Sequence, residues 1–172
     1  MSKPLFAQDQ SMFEGFWAYC VEQTIEDTHV PRTNLYEFSE DEIAQLGRNL
    51  GWSDFPEAVW APNDGSWLIL DIIVDEPGLC QAMSINDPVS HNVIEWNEKI
   101  ANDDSFRSHG VADVEAVRSS GWATTPVYDG FVQISLMNVL FSTDPLANLS
   151  ILTAARVGQS PASCELFPSK CN

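Results

Sequence analysis

The sequence predicts an α+β domain, an antiparallel sheet of five to six strands with helices packed on it. Three observations predict it. Apolar residues recur at the helical period in three stretches, while β-branched residues concentrate in others. Short turn signals separate the strand-like runs, which makes neighbouring strands antiparallel. The chain has 172 residues, 44% hydrophobic and 19% charged, enough for one core and too few for two ordinary domains. The domain is expected over residues 1–157, with residues 158–172 as an irregular tail holding a short cysteine loop.

Phe13, Phe16, Trp17, Cys20, Val21 and Thr24 follow the helical period, so residues 12–27 read as an amphipathic helix. It ends ahead of Pro31, which restricts the residue before it. Ser39 and Glu42 have capping-box spacing and open a second helix, with Ile43, Leu46 and Leu50 as its apolar face and Gly51 as its stop. Trp52 and Phe55 are expected to fold back onto the core.

Residues 59–61 lead as a strand into Pro62-Asn63-Asp64-Gly65, a turn signal. Residues 66–74 form a strand apolar on both faces, which implies that both are covered. Leu70 and Ile72 are expected beneath the first helix. The turn at residues 75–78 gives a return strand, 79–85, carrying Cys80. Asp87-Pro88 suits an N-cap followed by Pro at the first helical position. Val89, Val93, Ile94, Trp96 and Ile100 then continue a helix to about residue 101.

Residues 106–120 are ambiguous; Val111, Val114 and Val117 have the spacing of a short helix. Strands follow at 121–128, 131–141 and 149–157, the first two joined at Asp129-Gly130. No internal repeat is evident. The element order α-α-β-β-β-α-β-β-β resembles the profilin and PAS class.

Charge narrows the function classes. Twenty-five acids face eight Lys and Arg, a net charge of -17. Phosphate recognition needs clustered basic residues, so nucleic acid is excluded as an expected partner. Anionic membrane surfaces are disfavoured in the same way, and no apolar run nears the roughly 18 residues of a membrane helix. Residues 1–86 hold 15 acids and 3 bases, and so -12 of the total. The densest stretch, Glu37, Glu40, Asp41 and Glu42, coincides with the start of the second helix, where acids are stabilised by the helix dipole.

The four cysteines are Cys20, Cys80, Cys164 and Cys171. No CxxC or Cys/His spacing suits zinc, and no metal or other cofactor is expected. Four cysteines allow three disulfide connectivities. The short loop from Cys164 to Cys171, with its turn-forming Pro168, favours that pair and leaves Cys20 with Cys80. Such bonds persist in oxidising compartments, giving a periplasmic or secreted expectation. Four reduced, buried thiols in the cytoplasm are the competing reading. Residues 1–8 carry no signal-peptide apolar core, which suits the cytoplasm or a chain whose signal has been removed.

Catalytic constellations are thin. His91 and Glu95 lie four apart on a helix, without the pattern of a metal site. There is no GxSxG elbow, GxGxxG or P-loop, and Cys20 falls on an apolar stripe, so no enzyme is expected. Asp71 is the most informative acid. Its strand face also carries Trp67 and Ile69, so its carboxylate must find a partner, with Arg107, Arg118 and Arg156 as candidates. A ligand-orienting acid is the alternative. Of six tryptophans, Trp60 and Trp122 sit at element ends, where they either cap the core or line a pocket, and Trp67 lies on a core face.

The run Phe13–Cys20, Gly51-Trp52, Trp67–Cys80, Phe106-Arg107 and the strand at 151–157 resembles a group of small uncharacterised bacterial exported proteins with two cysteines. That resemblance implies an exported domain and no catalytic residues. Two functions are expected in order. The first is a noncatalytic binding domain for a small ligand held near Asp71, Trp60, Trp67 and Trp122. The second is an acidic inhibitor or immunity-type protein that binds a basic protein partner.

Overall fold

The computed structural model describes residues 10–171, apart from 29, 73–78, 86–88, 110–119, 128–129, 141–147 and 159–160. Ser11 opens the first helix with a capping box: its hydroxyl accepts the Glu14 amide at 3.1 Å, and the Glu14 carboxylate accepts the Ser11 amide. The helix runs as α1 (Met12–Phe16), a π-helical turn (Trp17–Val21) and α2 (Glu22–Glu26), ending where Asp27 turns left-handed. Arg156 reaches this end and donates to the Thr24 and Ile25 carbonyls at 3.0 and 3.3 Å. A cation at a helix C-terminus satisfies carbonyls that have no partner within the helix.

β1 (Tyr36–Glu37) precedes α3 (Glu40–Leu50), which has the Ser39–Glu42 capping box that the sequence predicts. Gly51 caps its C-terminus at φ +70°, a conformation that costs glycine least. β2 (Ala58–Ala61), β3 (Leu68–Asp71) and β4 (Cys80–Ile85) complete a meander. α4 (Val89–Trp96) runs into a second π-helical turn (Asn97–Ala101). A second meander follows: β5 (Arg107–His109), β6 (Ser120–Val127), β7 (Gly130–Leu140) and β8 (Asn148–Val157).

Among the described residues, eight strands form one antiparallel sheet in the order β1-β2-β3-β4-β8-β7-β6-β5. The α+β class with an antiparallel sheet therefore holds, while the expected five to six strands are too few. The two missed strands are the edges, β1 with two residues and β5 with three, too short to show a period of two. Among the described residues, each half of the chain has a helix with a π-helical turn ahead of four antiparallel strands, with α3 inserted between β1 and β2 in the first half, and the halves join through β4 and β8. The repetition lies in topology, with one faint echo in sequence: Arg-x-x-Gly-Trp recurs at 48–52 and 118–122.

One sheet face lies under the two π-containing helices, with Phe13, Phe16, Cys20 and Trp96 packed on Ile69, Ala82, Ile134 and Leu152. Trp67 belongs to this core and comes so near the first helix that a Cβ on Gly15 would lie 2.5 Å from its ring. The opposite face is covered over β2–β4 by α3, through Ile43, Val59, Leu70 and Met83. Leu70 is buried as expected, but beneath α3 and not beneath the first helix, and Ile72 is only half-buried. The alternation of a strand places 69 and 71 on one face and 68 and 70 on the other.

The C-terminal segment is not irregular. α5 (Pro161–Leu166) and a 3-10 turn (Pro168–Lys170) lie within the disulfide-bearing tail, and Phe167 packs on Phe131 of β7 at 5.7 Å. Both expected disulfides are present, Cys20–Cys80 and Cys164–Cys171. The expected turn at 75–78, the cap at Asp87-Pro88 and the short helix through Val111, Val114 and Val117 lie outside the described residues.

Candidate functional site

Asp71 ends β3 on the face that carries Ile69, and β4 places Cys80 directly beside it. Its partner is Arg32, not Arg107, Arg118 or Arg156. The guanidinium grips the carboxylate with two bonds, Nη1 to Oδ2 at 2.5 Å and Nη2 to Oδ1 at 2.8 Å. Arg32 lies in the loop between α2 and β1, 7% exposed, with its guanidinium carbon 3.9 Å above the Trp60 ring. It also approaches the Tyr19 carbonyl at 3.5 Å and the Cys80 sulfur at 3.9 Å.

Two charges leave water here, and the fork-to-fork geometry with the aromatic face beneath repays the cost of that transfer. The ion pair, Trp60 and the Cys20–Cys80 bond hold the loop, the first helix and the β2–β4 hairpins together at one point. Arg156 is occupied at the end of the first helix, with Asp27 3.6 Å away. Arg107 donates to the Asp104 carbonyl and lies over Phe167. Arg118 is outside the described residues.

The four residues expected around a ligand therefore separate. Asp71 and Trp60 meet through Arg32. Trp67 is core, 3% exposed, with its indole N–H donated to the Gln10 carbonyl at 3.0 Å. Trp122 is on β6, at the far end of the sheet from Trp60 on β2. Glu95 accepts the Ser11 hydroxyl at 2.8 Å and so links the two helices on that face. Among the described residues no three His, Cys, Asp or Glu side chains are placed to hold a metal ion.

Trp122 has different company. Its cross-strand neighbour on β7 is Ser135, whose neighbour on β8 is Thr153, whose neighbour on β4 is Gln81. These four residues lie in one row on the face away from the two long helices, and the register continues it from Trp122 to His109 on β5. All four are half-buried, and Gln81 Nε2 donates to Thr153 Oγ1 at 3.3 Å. α3 stands beyond one end of the row and Phe167 covers Phe131 beyond one flank. Beside the row, Met137 is 44% exposed. Strand spacing makes the row about 14 Å long. Cross-strand register assembles it from residues 72 or fewer apart in pairs, and no local sequence signal marks it.

A second surface lies around the start of α3. Tyr36 is 50% exposed and donates its hydroxyl to Glu42 at 2.8 Å, with exposed Glu37, Glu40 and Asp41 around it. The Ser39 amide and hydroxyl and the Tyr36 hydroxyl hold the Glu42 carboxyl below its ordinary pKa, and the same carboxylate raises that of Tyr36.

Comparison with family models, with curated proteins and with solved structures returns no match. Among the described residues no helix is long and apolar enough to cross a membrane.

Proposed function

We propose that this protein is an exported, noncatalytic binding domain that takes a small ligand on the open face of its sheet, beside Trp122. The observation that carries the reading is the row Gln81–Thr153–Ser135–Trp122. It crosses four adjacent strands of the antiparallel sheet on the face away from the two long helices, the face that such a sheet commonly leaves to solvent. Three polar side chains and an indole stand half-buried there. An aromatic surface with a few convergent hydrogen-bonding groups is the chemistry of a ligand site.

The ligand moves away from Asp71, Trp60 and Trp67, because Arg32 occupies the first two and the third is enclosed in the core. Two disulfides support a periplasmic or secreted location, as does the resemblance to exported bacterial two-cysteine proteins. A small-molecule library screened by thermal shift tests the function. Hits should raise the unfolding midpoint of the native protein and lose that effect in Trp122→Ala. Hits that act equally on both forms would place the site elsewhere.

A second reading has its own observation. Tyr36, half-exposed among Glu37, Glu40 and Asp41, offers an aromatic anchor within a negative field, the complement of a basic protein. Its sign is association with a cationic protein that weakens steeply with salt and with Tyr36→Ala.

A further inference from the structure

We infer that the Cys164–Cys171 bond is a redox site: a dithiol reductant opens it selectively, and its opening frees an aromatic strap from the sheet, independently of any ligand beside Trp122. The two disulfides lie in different surroundings. Cys20 and Cys80 are 0% and 3% exposed, enclosed in the core under the first helix. Cys164 and Cys171 are both half-buried, and every residue of the ring they close is half-buried or exposed. Thiol–disulfide exchange requires a thiolate to reach a sulfur, so access alone separates the two bonds. Sequence separation, 7 against 60, separates them again. A loop this short closes at little entropic cost, so the outer bond re-forms readily after reduction.

The ring carries Phe167, whose side chain is the strap. It packs on Phe131 at 5.7 Å, and Arg107 of the edge strand β5 lies over it at 5.8 Å. Val132, Ile134 and Leu136 fill the core beneath the long helices, so alternation along β7 sets Phe131 on the opposite face, with Ser135. There Phe131 is only 1% exposed. The backbone after Phe167 is held by local bonds, the Lys170 amide to the Phe167 carbonyl at 3.0 Å and the Cys171 amide to the Pro168 carbonyl at 3.4 Å. A turn of this length does not hold its shape alone, and the disulfide supplies the missing constraint. Reduction therefore lets Phe167 leave and Phe131 reach solvent. In the exchange, one thiolate of the reductant attacks a ring sulfur and expels the other cysteine as a thiolate, which takes up a proton. The second thiol of the reductant then attacks the mixed disulfide. Both cysteines end as thiols with two electrons and two protons from the dithiol, which departs as a disulfide.

The test uses the intact, oxidised protein under native conditions with dithiothreitol, a small dithiol. Samples are alkylated at intervals and the modified cysteines identified by peptide mass spectrometry. Aromatic NMR signals and the fluorescence of anilinonaphthalene sulfonate follow the sheet face. Cys164 and Cys171 should be reduced about tenfold or more faster than Cys20 and Cys80. In that intermediate the contact between the Phe131 and Phe167 rings should vanish and dye fluorescence should rise, while the Phe13 and Trp67 signals stay in place. Replacing dithiothreitol with oxidised glutathione should close the bond and reverse both changes. Cys164→Ser with Cys171→Ser should show the open state without reductant, and Phe167→Ala should raise the dye signal with the bond still closed. Equal reduction rates at the two bonds would overturn the selectivity. A reduced ring that keeps Phe167 on Phe131 would overturn the latch, as would loss of the whole fold in the double serine variant.

Discussion

Arg32 and Asp71, 39 residues apart in sequence, meet as a two-bonded ion pair inside the domain, with the Trp60 ring against the guanidinium. The pair joins a loop to the end of β3 beside the Cys20–Cys80 bond, so a polar interaction and a covalent one secure the same junction.

Removing one partner should be far worse than removing both. Arg32→Met leaves a buried carboxylate alone and is expected to cost about 3–5 kcal/mol in urea unfolding. Arg32→Met with Asp71→Leu should recover much of that loss. A single Arg32→Met variant as stable as the native protein would show that the pair contributes little at this site.

The Cys20–Cys80 bond closes a loop of sequence separation 60 and the Cys164–Cys171 bond one of 7. By chain entropy their removal should lower stability by about 4 and about 2.5 kcal/mol respectively. Paired substitution to Ala, followed by denaturant titration, checks the order. Alkylation of the unreduced, unfolded protein should find no free thiol.

Leu70 sits under α3 with Ile43 and Met83. Leu70→Ala should cost about 2–5 kcal/mol through the cavity it leaves. A double-mutant cycle should couple it to Ile43→Val and leave it additive with Phe13→Leu, because Phe13 packs on the other face. The reverse pattern would exchange the helices over the two faces.

Glu42 gives the α3 cap a pH dependence. Its carboxyl is held below its ordinary value, so its contribution to stability is complete above that value and is lost as pH falls through the folded pKa. Tyr36 runs the other way: its raised pKa means a contribution present below the ordinary tyrosine value and lost as pH rises through the folded one. Glu42→Gln should flatten the acid limb of stability against pH. An unchanged acid limb would show that the cap carries no pH-dependent stability.

Local signals carried much of the fold. The apolar stripe from Phe13 to Thr24, the Ser39–Glu42 cap and the cysteine spacing each predict what the structure contains. β1 and β5 escaped because pairing, not periodicity, makes strands of two or three residues. Arg32 escaped for a different reason. It stands in a loop without periodicity, and its only hint is scarcity: residues 1–86 contain three bases, so a buried acid there has few candidates. The row from Gln81 to Trp122 depends on the register of four strands drawn from both halves of the chain, which composition and spacing do not encode.

Binding at the sheet face beside Trp122, as proposed above, is tested most directly by a map of ligand-induced NMR shifts over every assigned amide and indole, using whichever compounds raise the unfolding midpoint. The largest shifts should fall on the Trp122 indole and on the amides of Gln81, Ser135 and Thr153. Shifts centred instead on Tyr36, Glu37, Glu40 and Asp41, or on Arg32 and Trp60, would contradict it.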